Sequence, residues 1–311
     1  MNDYIIMADA GCDLSAEFQE KYDVKVINGH LVLPGKGDVP SFMKWEDTTL
    51  EQFYADLKKN PSDYATAPPN TTEYENFFEP FIKEGKAIIC VTISSTMSGS
   101  FDFATAARKN ILAKYPDAKI ELIDSMRFGP GFGLMVVHAS ILRSQGKGFE
   151  EVSQYLVTNR NRFHQAGWLD DLSFVAKKGR LTHSKAFFGT LAGIKPIGEF
   201  DSGGMTTVLG KAKGAKAAYA VLLKYIEATI ENPQEQYIFI AQSSRYPQAE
   251  AYKKMLEEKF SPKGVFIIDV FPFCGINVGP GLMAAYYMGK PISDDLSTER
   301  ELIERFIAES K

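Results

Sequence analysis

Five hydroxyl side chains lie within seven consecutive residues of the sequence, a density typical of a ligand-binding loop. They are Ser94, Ser95, Thr96, Ser98 and Ser100. A short, almost wholly apolar run at residues 87–93 precedes them, and a helical pattern at residues 100–114 follows. In an open parallel sheet, ligands bind where strands end and helices begin, because a helix N-terminus offers free N–H groups and a partial positive charge. The segment therefore predicts a site for a carboxylate or phosphate, and Ser98 or Ser100 is also expected to act as the helix N-cap.

No acid–base partner stands at a recognisable spacing from these hydroxyls. The four histidines are isolated, and the sequence has no phosphate loop (GxxxxGK followed by Ser or Thr), no HExxH, no CxxC and no GxSxG motif. The three cysteines are too few and too scattered for a disulfide framework or a zinc site, and Cys90 is predicted to be a small buried side chain. We therefore expect a site that binds rather than reacts, without a catalytic residue, a metal or a cofactor.

Alternating strand and helix patterns must position this loop. The apolar runs at residues 87–93 and 119–123, with a helix between them, form a βαβ unit, and such a unit requires a parallel sheet. Upstream, Asn70 and Glu73 have the spacing of a capping box, which predicts a helix beginning there.

The second half of the chain differs in charge. Eight basic and two acidic residues lie between positions 177 and 216, although the whole chain has a net charge of −4. The basic residues are Lys177, Lys178, Arg180, Lys185, Lys195, Lys211, Lys213 and Lys216. This contrast favours docking of an acidic or phosphate-bearing partner. With a hairpin turn at 201–204 and a strand–helix–strand pattern at 237–270, we predict an α/β fold of two α/β domains, residues 1–160 and 161–311, the first with a mainly parallel sheet.

Two further segments could shape a binding site. In Thr66-Ala-Pro-Pro-Asn70, the prolines predict an extended loop that would hold the Thr66 hydroxyl in place. The glycine-rich run at residues 275–281 permits either a close approach to a ligand or tight internal packing.

Composition excludes several classes of protein. The 311 residues are 45% hydrophobic and 24% charged, which is ordinary for a globular chain long enough to form two domains. An isoelectric point near 5.7 argues against a general nucleic-acid binder. No apolar stretch approaches the ~20 residues that span a bilayer, and the N-terminus has no basic region typical of a signal peptide. We expect a cytoplasmic protein with no integral membrane segment.

Eight short motifs follow one another between positions 9 and 281. They are Asp9-Ala-Gly-Cys-Asp13-Leu14, Thr66-x-x-Pro69, Ser94-Ser-x-Met-Ser98-Gly99-Ser-Phe, Asp124-Ser125, Leu169-x-x-Leu172 leading to Lys178-Gly179-Arg180, Ile194-Lys195-Pro196-Ile197, Lys211-x-Lys213-Gly214 and Gly279-Pro280-Gly281. In this order they resemble the motifs of the DegV family of bacterial fatty-acid-binding proteins.

The resemblance implies two α/β domains with a long-chain fatty acid buried in a tunnel between them. Its carboxylate would be held by Thr66, Ser98 and the N–H of Gly99, and the supporting residues would be Ser94, Ser95 and Asn277. In characterised relatives the protein presents the acid to a separate kinase, which makes an acyl phosphate for phospholipid synthesis. The family's kinase-docking arginines match Arg180 and Lys213.

Four motifs depart from the family pattern. The family's Thr-Ser-Gln-Pro-Ser is Thr66-Ala-Pro-Pro-Asn70 here, its Gly-Gly-Arg is Lys178-Gly179-Arg180, Lys213 replaces an arginine, and Asn277 replaces a histidine. Lysine keeps the positive charge without the two-pronged guanidinium, and asparagine can donate a hydrogen bond without carrying a charge.

Two alternatives to a fatty-acid carrier stay open. One is a hydrolase or phosphotransferase of small molecules that uses the hydroxyls of Ser94–Ser98 with Asp124 as orienting carboxylate. The other is a carrier of another apolar acid.

Overall fold

A computed structural model of the chain describes residues 4–181 and 193–310, which form thirteen strands and eleven α-helices. The strands are β1 (Tyr4–Asp9), β2 (Val24–Ile27), β3 (His30–Leu33), β4 (Gly37–Pro40), β5 (Ala65–Ala67), β6 (Ala87–Thr92), β7 (Ile120–Asp124), β8 (Phe163–Leu169), β9 (Ile194–Phe200), β10 (Thr206–Lys213), β11 (Tyr237–Gln242), β12 (Gly264–Asp269) and β13 (Leu282–Met288). The helices are α1 (Ala16–Lys21), α2 (Leu50–Lys59), α3 (Thr71–Lys83), α4 (Ser100–Lys114), α5 (Gly129–Ser144), α6 (Phe149–Asn159), α7 (Ser173–Lys177), α8 (Gly214–Thr229), α9 (Tyr246–Phe260), α10 (Pro272–Val278) and α11 (Ser297–Glu309).

The chain divides into two compact units. The first contains Met1–Lys44, Ser62–Arg160 and Phe271–Phe273, and the second contains Trp45–Pro61, Asn161–Val270 and Cys274–Lys311. The units do not follow the predicted limits of 1–160 and 161–311 throughout, because α2 belongs to the second unit. Tyr54 on α2 contacts the rest of that unit: its hydroxyl donates to the carbonyl of Val270 at 2.7 Å, and its ring leaves no room for a side chain at Gly275.

A four-stranded parallel sheet in the order β2-β1-β6-β7 forms the first unit's main layer. It contains the predicted βαβ unit, with α4 between β6 and β7. One face of the sheet packs on α3 and α4 through a buried cluster that includes Met7, Phe78 and the predicted core residue Cys90. The predicted capping box begins α3: Asn70 accepts from the N–H of Glu73 at 3.1 Å, and Glu73 accepts from that of Asn70 at 2.8 Å. The mixed α/β architecture and the parallel first sheet are therefore confirmed.

A small antiparallel sheet in the order β4-β3-β5 holds the segment that contains Thr66. Thr66 lies opposite Leu31, so part of the predicted extended loop is a strand. The adjoining Gly29 packs so closely that an added Cβ would lie 2.3 Å from the Phe273 ring and 2.9 Å from the carbonyl oxygen of Ala67. The strand ends before Pro68, whose ring removes the N–H that a further ladder bond needs.

The second unit is built on a six-stranded mixed sheet in the order β10-β9-β8-β13-β11-β12. Its neighbouring strands run antiparallel except β11 and β12, which are parallel and joined by α9 as predicted. The predicted hairpin joins β9 to β10. Asp201 stabilises its turn by accepting from the N–H groups of Gly203 and Met205, each at 3.0 Å.

A fully buried carboxylate, Glu199 on β9, forms the polar centre of this second sheet. Its Oε1 accepts from the N–H groups of Gln165 and Phe200 at 2.7 and 2.8 Å. Its Oε2 accepts from the hydroxyl of Tyr225 at 2.8 Å and lies 2.8 Å from Nδ1 of His164. Buried polar groups need such complete pairing because each unpaired one costs about 1–3 kcal/mol.

We expect Glu199→Gln to lower the free energy of unfolding by about 2–3 kcal/mol, because an amide cannot accept from all of these donors. Urea denaturation at neutral pH measures the change. Glu309→Gln is the control, since Glu309 pairs with Lys224 on the surface, where an ion pair contributes little. Equal stability of the two variants would contradict this account of the buried centre.

Candidate functional site

The hydroxyl-rich loop is a tight turn at the carboxyl end of β6. The carbonyl of Ser94 accepts from the N–H groups of Met97 and Ser98 at 3.0 and 3.1 Å, which closes the turn. Gly99 is the N-cap of α4, with no side-chain capping bond. The prediction that Ser98 or Ser100 caps the helix is therefore wrong: Ser100 is already helical, and the Oγ of Ser98 accepts from the N–H of Ser100 at 3.3 Å.

The predicted binding hydroxyls have different partners. Ser94 is buried, and its Oγ lies 2.9 Å from Oγ1 of Thr96. Ser95 is exposed and donates from Oγ to Asp124 at 2.5 Å. Ser98 is half-buried, 3.2 Å from the Oγ of Ser100. Ser94 and Ser95 thus stabilise the loop, and Ser98 lies at the beginning of the helix.

Asp124, at the end of β7, ties this loop to the neighbouring strand. Its carboxylate accepts from the N–H of Ser95 at 3.2 Å and from the N–H of Met126 at 2.9 Å, in addition to the Ser95 hydroxyl. The carbonyl of Asp124 accepts from Arg160 at 3.1 Å. The carboxylate therefore orients the loop, which is the part of its predicted role that the geometry supports.

The segment carrying Thr66 lies beside the turn that carries Ser98. An added Cβ on Gly99 would stand 4.0 Å from Cγ of Pro68 and 3.5 Å from the ring of Phe103. The structure thus places Pro68, two residues beyond Thr66, close to Gly99 at the N-terminus of α4. Hydroxyl groups and the N–H groups of a first helical turn are together suited to an anion.

The remaining predicted residues lie in the second unit. Asn277 lies on α10, within the glycine-rich run. That run is tightly packed, since an added Cβ would lie 2.4 Å from the hydroxyl oxygen of Tyr54 at Gly275 and 2.4 Å from the ring of Phe174 at Gly279, where φ is +78°. Close packing thus accounts for glycine at both positions.

Arg180 and Lys213 lie near opposite ends of β10. Leu181, next to Arg180, pairs with Thr206 at the beginning of that strand, whereas the exposed Lys213 ends it. Thr206 and Lys213 are seven positions apart along the strand, roughly 23 Å. The guanidinium of Arg180 donates to the carbonyl of Lys178. Of the predicted basic segment, Lys185 lies outside the described residues.

One buried acid of this site received no role from the sequence. Asp9 ends β1, is fully buried, and accepts from the N–H of Gly11 at 2.8 Å and from that of Ile93 at 2.9 Å. Burial raises the pKa of its carboxyl to about 6, against the lowering effect of these two bonds. The signal available in the sequence was an acidic residue directly after the apolar run at residues 4–8.

Within residues 4–181 and 193–310, no three side chains of His, Cys, Asp or Glu lie close enough to hold a metal ion. The helices in the same part of the chain are all too short or too polar to cross a membrane. His138 on α5 is half-buried, and desolvation of its ring lowers the pKa to about 4.

Comparison with known proteins gives consistent matches over almost the whole chain. Residues 4–290 match the family described as "Uncharacterised protein, DegV family". A DegV domain-containing protein of Clostridium perfringens is 30% identical over 293 residues, covering 93% of this chain and 98% of that protein. The structure superposes on a stearic acid-binding protein from Eubacterium ventriosum with a TM-score of 0.80 and 22% identity, covering 92% of this chain and 98% of that one. It also superposes on the Streptococcus pneumoniae Fatty Acid Kinase (Fak) B3 protein, loaded with linoleic acid, with a TM-score of 0.75 and 22% identity, covering 92% and 99%.

The raised pKa of Asp9 predicts how stability depends on pH. An unfolded aspartate ionises near 3.8 and the folded one at about 6, so the folded state binds more protons between these values. Stability contributed by Asp9 therefore falls as the pH rises through this interval, by about 3 kcal/mol in total. Urea denaturation from about pH 4 to pH 7 should show this fall in the wild type relative to Asp9→Asn. Parallel stability curves for the two proteins would refute the assignment.

Proposed function

The chain belongs to the DegV family, and from this membership we propose that it binds a long-chain fatty acid and carries it to a partner protein in the cytoplasm. In this proposal Thr66, Ser98 and the N–H of Gly99 hold the carboxylate. Ser94 and Ser95 support them by fixing the loop, and Asn277 adds a neutral donor.

The observation that carries the proposal is the nearness of the segment after Thr66 to the hydroxyl-rich loop at the carboxyl end of β6. An added Cβ on Gly99 would stand 4.0 Å from Cγ of Pro68, two residues beyond Thr66, and Ser98 precedes that N-cap. A carboxylate removed from water costs several kcal/mol unless donors replace its lost hydrogen bonds. Hydroxyls and the free N–H groups of a first helical turn are such donors.

The solved relatives support a fatty acid as the class of ligand, since stearic and linoleic acids are named for two of them. An acyl chain of 14–16 methylenes gains roughly 11–13 kcal/mol on burial, before ordering costs. The carboxylate site therefore needs to supply orientation more than affinity.

We propose that the chain acts as a carrier and not as an enzyme. A hydrolase that used Ser95 would need a base to take the hydroxyl proton. The Ser95 hydroxyl donates to the carboxylate of Asp124, which the loop already uses as a structural acceptor. Among the described histidines, His30 bonds to Asp38 and Glu73, and His164 bonds to Glu199. Asp124 also accepts from two backbone N–H groups, which is typical of a carboxylate that fixes a loop.

We expect Ser98→Ala combined with Thr66→Val to weaken palmitate binding at least about tenfold, because two donors to the carboxylate are lost. Native mass spectrometry of the purified protein first identifies an adduct, and extraction under denaturing conditions then releases the acid for identification. Titration with palmitate compares the affinities of the variant and the wild type.

Thr105→Val is the matched control, since the exposed Thr105 hydroxyl on α4 bonds only locally, to the carbonyl of Phe101 at 2.7 Å. Its affinity should equal that of the wild type. Unchanged affinity in the double variant would disprove the site, and a protein that binds neither palmitate nor oleate would favour the enzyme or another apolar acid.

We further propose that Arg180 and Lys213 contact the acidic or phosphate-bearing surface of a fatty-acid kinase. Both lie on the basic segment, and the S. pneumoniae relative is named as a Fatty Acid Kinase B3 protein. Their positions near opposite ends of β10 imply two separate contacts with the partner.

Reversing the charge of either residue, Arg180→Glu or Lys213→Glu, should slow acyl phosphate formation by a fatty-acid kinase by about fivefold or more, because like charges would face each other. Phosphate transfer from ATP to the bound acid is the measurement, and palmitate affinity should stay constant. Lys216→Glu changes the net charge equally from an exposed neighbouring position. An equal loss in Lys216→Glu would attribute the effect to net charge and remove the assigned contacts.

A further inference from the structure

His30 on β3 faces a carboxylate with each of its two ring nitrogens. Its Nδ1 lies 3.2 Å from Oδ1 of Asp38 on β4, and its Nε2 lies 3.0 Å from the carboxylate of Glu73 on α3. A neutral imidazole has one N–H and can donate to only one of these two acids. The arrangement is therefore complete only when His30 is an imidazolium ion, which donates to both.

His30 also borders both ends of the segment that follows Thr66. Ala67, the last residue of β5, pairs with His30 across the small antiparallel sheet. At the other end, the Glu73 carboxylate that faces Nε2 also accepts from the N–H of Asn70 at 2.8 Å. Two prolines stand between these points, and their rings restrict the backbone. His30 thus ties the strand that contains Thr66 to the N-terminal cap of α3.

Loss of a proton from His30 weakens the link to Glu73 in either tautomer. If Nδ1 keeps its hydrogen, a lone pair of Nε2 faces the Glu73 carboxylate and repels it. If Nε2 keeps its hydrogen, the bond to Glu73 remains without the attraction between opposite charges, and Asp38 faces a lone pair. Deprotonation therefore loosens the tie between β5 and α3.

We propose that His30 is a positioning residue of the carboxylate site, and that its imidazolium form holds the segment of Thr66 for the ligand, so that fatty-acid binding is coupled to protonation of His30. The inference rests on the proposed function, since it requires Thr66 to donate to the carboxylate. His30 itself does not touch the ligand. Because coupling is reciprocal, a bound fatty acid increases the affinity of His30 for its proton by the same factor.

The surroundings of His30 place this coupling near neutral pH. The charged groups that face the ring are Asp38 on β4 and Glu73 on α3, and the third neighbouring element, β5, consists of the uncharged residues Ala65–Ala67. The hydrogen bond to Glu73 raises the pKa of His30 above its usual value of 6.5, the charges of both acids add to this, and partial burial opposes it. Affinity gained from the imidazolium is therefore present at about pH 6 and is lost as the pH rises through the raised pKa.

The test compares palmitate affinity at about pH 6 and about pH 9 in the wild type, His30→Phe and His30→Arg. His30→Phe keeps a ring without any donor, so it reports how ionisation of palmitate and of other groups changes the affinity. Relative to this variant, the wild type should bind roughly two- to fivefold more tightly at the lower pH, the range typical of partly exposed ion pairs. His30→Arg is charged at both pH values and has donors for two carboxylates, so it should keep this advantage at both.

Proton NMR of the histidine rings provides a second readout. Palmitate should raise the titration midpoint of His30 by about 0.3–0.7 unit, which is the same two- to fivefold factor measured on the proton. The midpoint should not move in Thr66→Val, which lacks the donor hydroxyl. His138, with a pKa of about 4, stays neutral in this range and is the internal reference. Thr105→Val should behave as the wild type in both measurements.

The outcomes separate this inference from the proposed function. If Ser98→Ala combined with Thr66→Val leaves palmitate affinity unchanged, the carboxylate site is wrong and the coupling falls with it. If that double variant binds palmitate more weakly, but the wild type and His30→Phe show the same ratio of affinities between the two pH values, the coupling alone is overturned. A midpoint of His30 that palmitate leaves unchanged in the wild type would also overturn it.

Discussion

The carboxyl group of Asp9 fixes the ends of two central strands of the first sheet. One of its oxygens accepts from Gly11, which turns the chain directly after β1, and the other accepts from Ile93, which follows β6. The hydroxyl-rich turn begins at the residue after Ile93, and α4 begins six residues later. Burying this carboxyl costs free energy, which the raised pKa expresses, and the cost is offset by the two N–H bonds that no apolar residue could accept. The geometry of the proposed carboxylate site therefore depends on a group that is itself expensive to bury.

Asp124 completes the same edge of the sheet from the neighbouring strand. Because β6 and β7 are parallel, their carboxyl ends meet, and Asp124 can hold Ser95 across the gap between them. Two carboxyl groups, from the strands β1 and β7 on either side of β6, thus shape the turn, one buried and one half-buried. Ser98 lies between the turn and α4 and is half-buried.

The regular part of this arrangement could be predicted from local patterns in the sequence. The apolar run before Ser94, the capping box at Asn70 and the turn at Asp201 each depend on neighbours within a few residues. The sequence around each of them is therefore enough to predict the structure that it forms. The pairing of β5 with β3 could not be predicted, since three residues carry no periodicity and Leu31 lies far from Thr66 in the sequence. The position of α2 in the second unit likewise depends on the contact between Tyr54 and Val270, and no local sequence pattern predicts that contact.

The proposed carboxylate ligands are neutral, and this suits a carrier. Thr66, Ser98 and Gly99 offer hydroxyl and N–H donors, and Asn277 offers an amide where the family has a charged or titratable ring. Neutral hydrogen bonds contribute about half of what charge-assisted ones do, so the acyl chain supplies most of the affinity and the head group is held loosely. In the proposed delivery to a kinase, the carboxylate has to react with a phosphate donor on the partner, so it cannot remain in a strong ion pair with its carrier. A site of neutral donors meets both demands of holding and release.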